Sequence, residues 1–206
     1  MLLSWPLRGR VLVRNSPARR VPSHGTHLMG TTYAIDLIPV DARGRSARRS
    51  ARALVASEPP EKCVGFGAPV LAPCAGTVVV AVDGEPEHAA RRSVVTLVPY
   101  MLGQARRLRA GARAIAGNHV VIDMGAGGPF VLLAHLREGS VRVRVGDAVH
   151  DGVQLAECGS SGSSTQPHVH VQVTDTTRWD VACGLPLAFR GEHGPVLPGE
   201  SAVVDV

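Results

Sequence analysis

Apolar and polar side chains alternate through residues 165–173, Thr-Gln-Pro-His-Val-His-Val-Gln-Val. In an extended strand, alternate side chains share a face. His168, His170 and Gln172 then point one way, and Val169, Val171 and Val173 the other. Pro167 suits the position just before such a strand. Apolar runs at 33–40, 118–124 and 129–136 also read as strands, the last two flanking the turn Gly125-Ala126-Gly127-Gly128. A further strand is expected at 10–13, a hairpin-like strand pair at 67–82, and more short strands within 139–175.

Other stretches break this pattern. Residues 41–62 are rich in Arg, Ala, Ser and Pro and read as an exposed loop or short helix. Arg43, Arg45, Arg48, Arg49 and Arg52 there form a solvated face. Residues 83–117 form a polar, Arg- and Ala-rich insertion, with helix formers across 101–116. The expected organisation is an N-terminal arm (1–22), a functional domain (23–175) and a C-terminal tail (176–206) that packs on the domain along an edge.

Composition agrees with this. The chain has 206 residues, enough for one sizeable core. It is 45% hydrophobic but only 3% aromatic, so the core must be built from Val, Ala and Leu. Valine-rich short runs punctuated by Gly and Pro predict a mostly β, single-domain antiparallel sandwich with a helical or loop insertion at about 83–117. No apolar run reaches the roughly 18 residues of a membrane span. The N-terminal ten residues lack the basic and long apolar regions of a signal peptide, and Pro6 interrupts them.

Net charge is +5, and Lys62 is the only lysine. Such a charge suits an anionic polymer, whether a cell-wall glycan, teichoic acid or nucleic acid, and equally reflects a source-wide preference for arginine. Cys63, Cys74, Cys158 and Cys183 contain no Cys-x-x-Cys pair, which argues against a cysteine zinc site. Cys74 and Cys158 lie in apolar sequence and read as small buried hydrophobes.

The candidate chemistry lies in three histidine-bearing segments. Ser23-His24-Gly25-Thr26-His27 precedes Asp36, a carboxylate inside an apolar run. Burying that carboxylate is costly unless it is paired or holds a cation. The run at 129–136 carries His135, and the alternating strand carries His168 and His170. Two histidines and one carboxylate make a three-ligand set that leaves a fourth zinc position open. No His-Glu-x-x-His, Gly-x-Ser-x-Gly, phosphate loop or dinucleotide fingerprint is present. Ser160, Ser161, Ser163 and Ser164 read as a turn that positions Pro167, and His88, His119, His150 and His193 as structural.

The order His…Asp, then Ala134-His135-Leu136, then Gly159-Ser160-Ser161-Gly162-Ser163-Ser164-Thr165-Gln166-Pro167-His168-Val169-His170, resembles the lysostaphin-type (LytM-like) zinc endopeptidases. The elements Gly67-Ala68-Pro69-Val70 and Val145-Gly146-Asp147-Ala148-Val149 fit the same family. These two elements also echo each other, as in barrel-sandwich hybrids built on a duplicated motif. The resemblance covers about residues 20–175 and implies peptidoglycan hydrolysis with one Zn2+ per chain.

It assigns Asp36 and His170 as metal ligands, and His135 and His168 as catalytic residues that do not bind the metal. The first histidine ligand is His24 or, alternatively, His27. They stand twelve and nine positions before Asp36, where tighter members of the family have four. His24 is favoured because Pro22-Ser23-His24-Gly25-Thr26 forms a turn. The implied partner is peptidoglycan or a peptide substrate, not nucleic acid, met by a monomer without an integral membrane segment. That substrate implies the cell envelope or the exterior, whereas the lack of an evident signal peptide leaves the cytoplasm open, alongside export by another route. Two other classes remain: a catalytically silent relative that binds the wall or regulates a hydrolase, and a carrier-like barrel-sandwich module.

Overall fold

The computed structural model describes residues 1–48, 56–91, 93, 95, 109 and 111–206. Its central element is an eight-stranded antiparallel sheet. The participating strands are β2 (Arg10–Arg14), β3 (Ile35–Pro39), β5 (Gly76–Val82), β6 (Asn118–Asp123), β7 (Phe130–Leu136), β8 (Ala148–Val149), β10 (Val169–Thr174) and β13 (Val203–Asp205). They lie in the order β13-β2-β3-β10-β7-β6-β5-β8. A two-stranded sheet pairs β4 (Pro69–Leu71) with β9 (Gln154–Glu157). A third sheet joins β1 (Leu2–Leu3) in parallel to β11 (Ala188–Gly191), which pairs with β12 (Gly194–Val196). The fold is mostly β, as expected, and among the described residues no sheet closes into a barrel.

The alternation in β10 is realised. Val169, Val171 and Val173 enter the main core with Ile35 and Leu37 of β3 and Leu133 of β7. Burying a valine or leucine completely is worth about 1.5–3 kcal/mol each, and the core consists largely of such side chains. Trp5 stacks on Phe189 at one end, with ring centroids 4.2 Å apart. Cys74 and Cys158 are buried in this core as free thiols; Cys63 is also buried, whereas Cys183 is exposed. Burial, with Asp151 nearby, pushes the Cys74 thiol up to about 11.

The strands at 118–123 and 130–136 pair across the glycine turn, as the pattern predicts. The strand pair at 67–82 does not form a hairpin. β4 pairs with β9, while β5 pairs with β6 and β8. The reason lies in the connection between them, whose backbone groups are bonded elsewhere. Ala72 N–H donates to Val153 O, and Pro73 O accepts from Ser4 N–H. Helix formation in the insertion is seen at Ala112–Ala116. Most of 101–116, like Arg49 and Arg52, lies outside the described residues. At the other end of the chain, β13 forms the outer edge of the main sheet against β2. Among the described residues no helix is long and apolar enough to cross a membrane.

Candidate metal centre

The opposite face of the sheet carries the candidate site. β10 lies between β3 and β7, with His170 directly across from Asp36 on one side and from Ala134 on the other. Cross-strand partners share a face, so Asp36, His170 and Ala134 form one row. His168 stands just before β10, with its Nε2 3.6 Å from Asp36 Oδ1.

His135 reaches the same face through a backbone irregularity. Asn118 pairs with Leu136 and His119 with Ala134, so His135 is an extra residue in β7. Its φ is +63°, in the left-handed region. Such a bulge re-aims a side chain. Leu133 and Leu136 both reach the main core, which strict alternation forbids for residues three apart. Without the bulge, His135 would share the core face with Leu133. The His135 and His168 ring centroids lie 4.6 Å apart.

His24 arrives on the loop before β3. The 22–26 turn closes through a hydrogen bond from Gly25 N–H to Pro22 O. Ser23 Oγ donates to Thr31 O and lies 3.1 Å from His24 Nδ1, which donates to it. That arrangement leaves His24 Nε2 facing Asp36, 3.3 Å from each carboxylate oxygen. The loop packs closely on β10 at Gly30, where an added Cβ would collide with the Thr174 methyl and where φ is +73°.

One ligand atom each from His24, Asp36 and His170 lies within 4.8 Å of the others. His27 is exposed, with its Nδ1 3.1 Å from Thr32 Oγ1, and the structure does not bring it into this group.

The donor set can be tested for its fit to a cation. Gln172 Nε2 donates to Met29 O, which turns Gln172 Oε1 toward His170. His170 Nε2–H therefore donates to Gln172 Oε1 at 2.9 Å. In a neutral imidazole the other nitrogen, Nδ1, then carries a lone pair, and it faces Asp36 Oδ1 at 2.9 Å. Two acceptors at that distance need positive charge between or beside them. A proton on His170 or a bound cation supplies it, and a His2Asp set suits zinc. Outer partners of the kind that orient metal ligands are also present, since Asn15 Nδ2 donates to Asp36 Oδ2 at 2.6 Å.

The electrostatics follow from burial and these contacts. For Asp36, burial raises the pKa, but the charges of His24 and His168 and the hydrogen bonds that His170 and His24 donate when their rings are protonated outweigh it. Its carboxyl is held well below the ordinary value. Burial lowers the pKa of His170, yet the hydrogen bond and charge of Asp36 prevail and raise it. Burial pushes His135 well down, reinforced by His168 and His170. Burial also lowers His168, against the opposing charge of Asp36.

Both non-cluster histidines are anchored at Nδ1. His135 Nδ1 donates to Ser161 O at 3.0 Å, and His168 Nδ1 to Gln166 O at 2.7 Å. Burial favours the neutral form of both rings, and in that form the anchored Nδ1–H leaves Nε2 unprotonated. Ser161 Oγ donates to Leu136 O and accepts from Asn118 N–H. His119 is buried against Gly117 O, while His150 and His193 are exposed.

Asn15, Ser23 and the anchoring role of Gln172 escaped the sequence reading. Only Gln172 left a signal, by sharing the His168 and His170 face. The cleft in front of the cluster has a volume of about 380 Å³.

Against this geometry, the family described as Peptidase family M23 matches residues 63–181. The matched span contains His135, His168 and His170, while His24 and Asp36 precede it. No curated protein matches the chain in sequence. Among solved structures, an M23 peptidase candidate from Pseudomonas aeruginosa is 24% identical over 53% of this chain and 34% of its own, with a TM-score of 0.35. The catalytic domain of prophage-encoded EnpA from Enterococcus faecalis is 21% identical over 60% of this chain and 69% of its own, with a TM-score of 0.39. The catalytic domain of lysostaphin from Staphylococcus simulans is 19% identical over 74% of each chain, with a TM-score of 0.41. The chain thus spans about a third of the Pseudomonas protein. These structural likenesses carry no functional argument.

Proposed function

The chain belongs to peptidase family M23, and from that premise we propose that it is a zinc-dependent endopeptidase hydrolysing amide bonds in peptidoglycan cross-links or stem peptides. The observation that carries this proposal is the convergence of His24, Asp36 and His170 within 4.8 Å, with two anchored histidines beside them. His24, rather than His27, completes the ligand set, because only His24 faces Asp36. A zinc ion held there supplies Lewis acidity toward the scissile carbonyl and toward its water.

The chain's own groups do the remaining work. Asp36 stays ionised and offers an anionic ligand. Gln172 keeps His170 in the tautomer whose Nδ1 can bind a metal. His135 and His168, each with Nδ1–H tied to a carbonyl, present Nε2 as the proton acceptor. One takes the proton of the attacking water and returns it to the departing amine. The other, carrying at Nε2 a proton taken from solvent before the chemical step, would donate it as a hydrogen bond toward the oxyanion and keep it through the reaction. The substrate places the protein's work at the cell envelope, and the proposed unit of action is the monomer.

The test combines zinc content with release of free amines from purified peptidoglycan, with and without chelator. The expected result is one zinc per chain and amine release that chelator abolishes and added zinc restores. Full zinc loading without release from wall material would overturn the substrate. Failure to bind zinc would overturn the ligand set.

A further inference from the structure

The cleft has a second half that the metal cluster does not use. The row at the metal is Asp36–His170–Ala134. One pleat further along, Gln172 faces Leu132, which in turn pairs with Val121 of β6. Two residues of strand advance about 6.6 Å. At this second row Val121, Leu132 and Ala134 form a separate apolar cluster on the cleft side, and Trp179 packs against it. Ile115, on the short helix that ends the insertion, lines the same cleft. Its carbonyl accepts Ser163 N–H at 2.8 Å, which ties this wall to the turn preceding His168.

Trp179 is only partly buried, and its indole N–H makes no hydrogen bond with any described residue. A tryptophan with an apolar body packed and a polar edge left open suits an interface with a ligand. Among the described residues, the ionisable side chains lining the cleft apart from histidines are Asp36, committed to the cluster, and Arg20. Among the described residues, the Leu132–Trp179 wall offers no partner to a charged substrate group, and a glycine would leave it bare.

We infer that Leu132, Trp179 and Ile115 form a side-chain subsite that takes an apolar residue within two positions of the scissile amide, so that the protein disfavours Gly-Gly bonds. This rests on the proposed zinc peptidase function and names the substrate class of that site. An extended peptide advances about 3.3–3.6 Å per residue. For a substrate lying along β7, the wall therefore stands about two residues from the metal row. The indole N–H then donates to a substrate carbonyl, while the alkyl group covers the ring face.

The test reads binding without requiring turnover. Glycylglycine hydroxamate, glycylleucine hydroxamate and leucylglycine hydroxamate, with leucine in L and D forms, are titrated calorimetrically into the zinc-loaded protein. At least one leucine compound is expected to bind about tenfold or more tighter than the glycine compound, the range of an alkyl group in an apolar pocket. Trp179→Ala is expected to bring that ratio close to one. Ile115→Ala, on a different wall element, is expected to reduce it, and checks the result independently of the folding of the first variant. Equal affinities in the unaltered protein, absence of binding by every compound, or an unchanged ratio in both variants overturns the subsite. Zinc content is measured in parallel. If the unaltered protein binds no zinc, the proposed function itself fails; if zinc is retained with equal affinities, only the subsite fails.

Discussion

β7 and β10 each show two faces to two different environments, and the contrast between those faces separates fold from chemistry. On the core face, Val171, Val173 and Leu133 are held by volume and by exclusion of water. Apolar residues of similar size substitute there at modest cost. On the cleft face, almost every polar atom of the cluster has a named partner: His170 has Gln172, Asp36 has Asn15, His24 has Ser23, and His135 has the Ser161 carbonyl. Non-directional packing tolerates substitution. A buried polar network does not, because a lost partner leaves a desolvated group unpaired. Neighbouring residues on one strand should therefore fail in different ways.

The largest effect is expected from Asp36→Ala. It removes the anionic ligand and the partner of three histidines, so zinc content by mass spectrometry should fall to near zero and amine release should cease. Zinc retained at one per chain would break the contrast at its centre. Next come His135→Ala and His168→Ala. Each should lower kcat by about 10²–10⁴, with zinc content and thermal midpoint little changed. Loss of metal in both would move them from proton transfer to ligation.

Leu133→Ala, two residues before His135, should behave oppositely. It should cost about 2–5 kcal/mol of stability in denaturant titration, while the folded fraction keeps its zinc and its specific activity. Gln172→Ala sharpens the comparison, since it changes only an outer partner on the cleft face. Zinc affinity in a competitive chelator titration should fall about 10–100-fold, with the fold intact. The smallest effect concerns the thiols. With Cys74 raised to about 11 by burial, little thiolate forms there at pH 8. Exposed Cys183 should then react first in a disulfide-exchange assay, and equal rates at Cys74 would show that the core face opens readily.

Particular residues show how far the sequence could be read. The faces of β10 were legible because a strand's period of two needs no knowledge of its neighbours. Asp36 was legible because a carboxylate inside an apolar run demands a partner. The strands flanking Gly125–Gly128 were legible because their pairing is local. The 67–82 segment misled for the converse reason: its strands bond to partners some 40–90 residues away, and nothing local encodes that choice. The choice between His24 and His27 stayed open on spacing alone, since a loop can deliver either side chain. Asn15 and Ser23 left no pattern, because their roles exist only where distant segments meet.

The sequence by itself determined the β class, the apolar face of β10 and the residue types able to hold a divalent cation, because periodicity and desolvation cost are properties of short stretches. Only the tertiary structure decided that β3, β7 and β10 lie side by side, that a bulge with φ of +63° turns His135 out of the core, and that His24 faces Asp36 while His27 stays exposed. Those outcomes depend on which distant backbones exchange hydrogen bonds and how closely loops pack. Such energies belong to the assembled chain and are absent from any one of its segments.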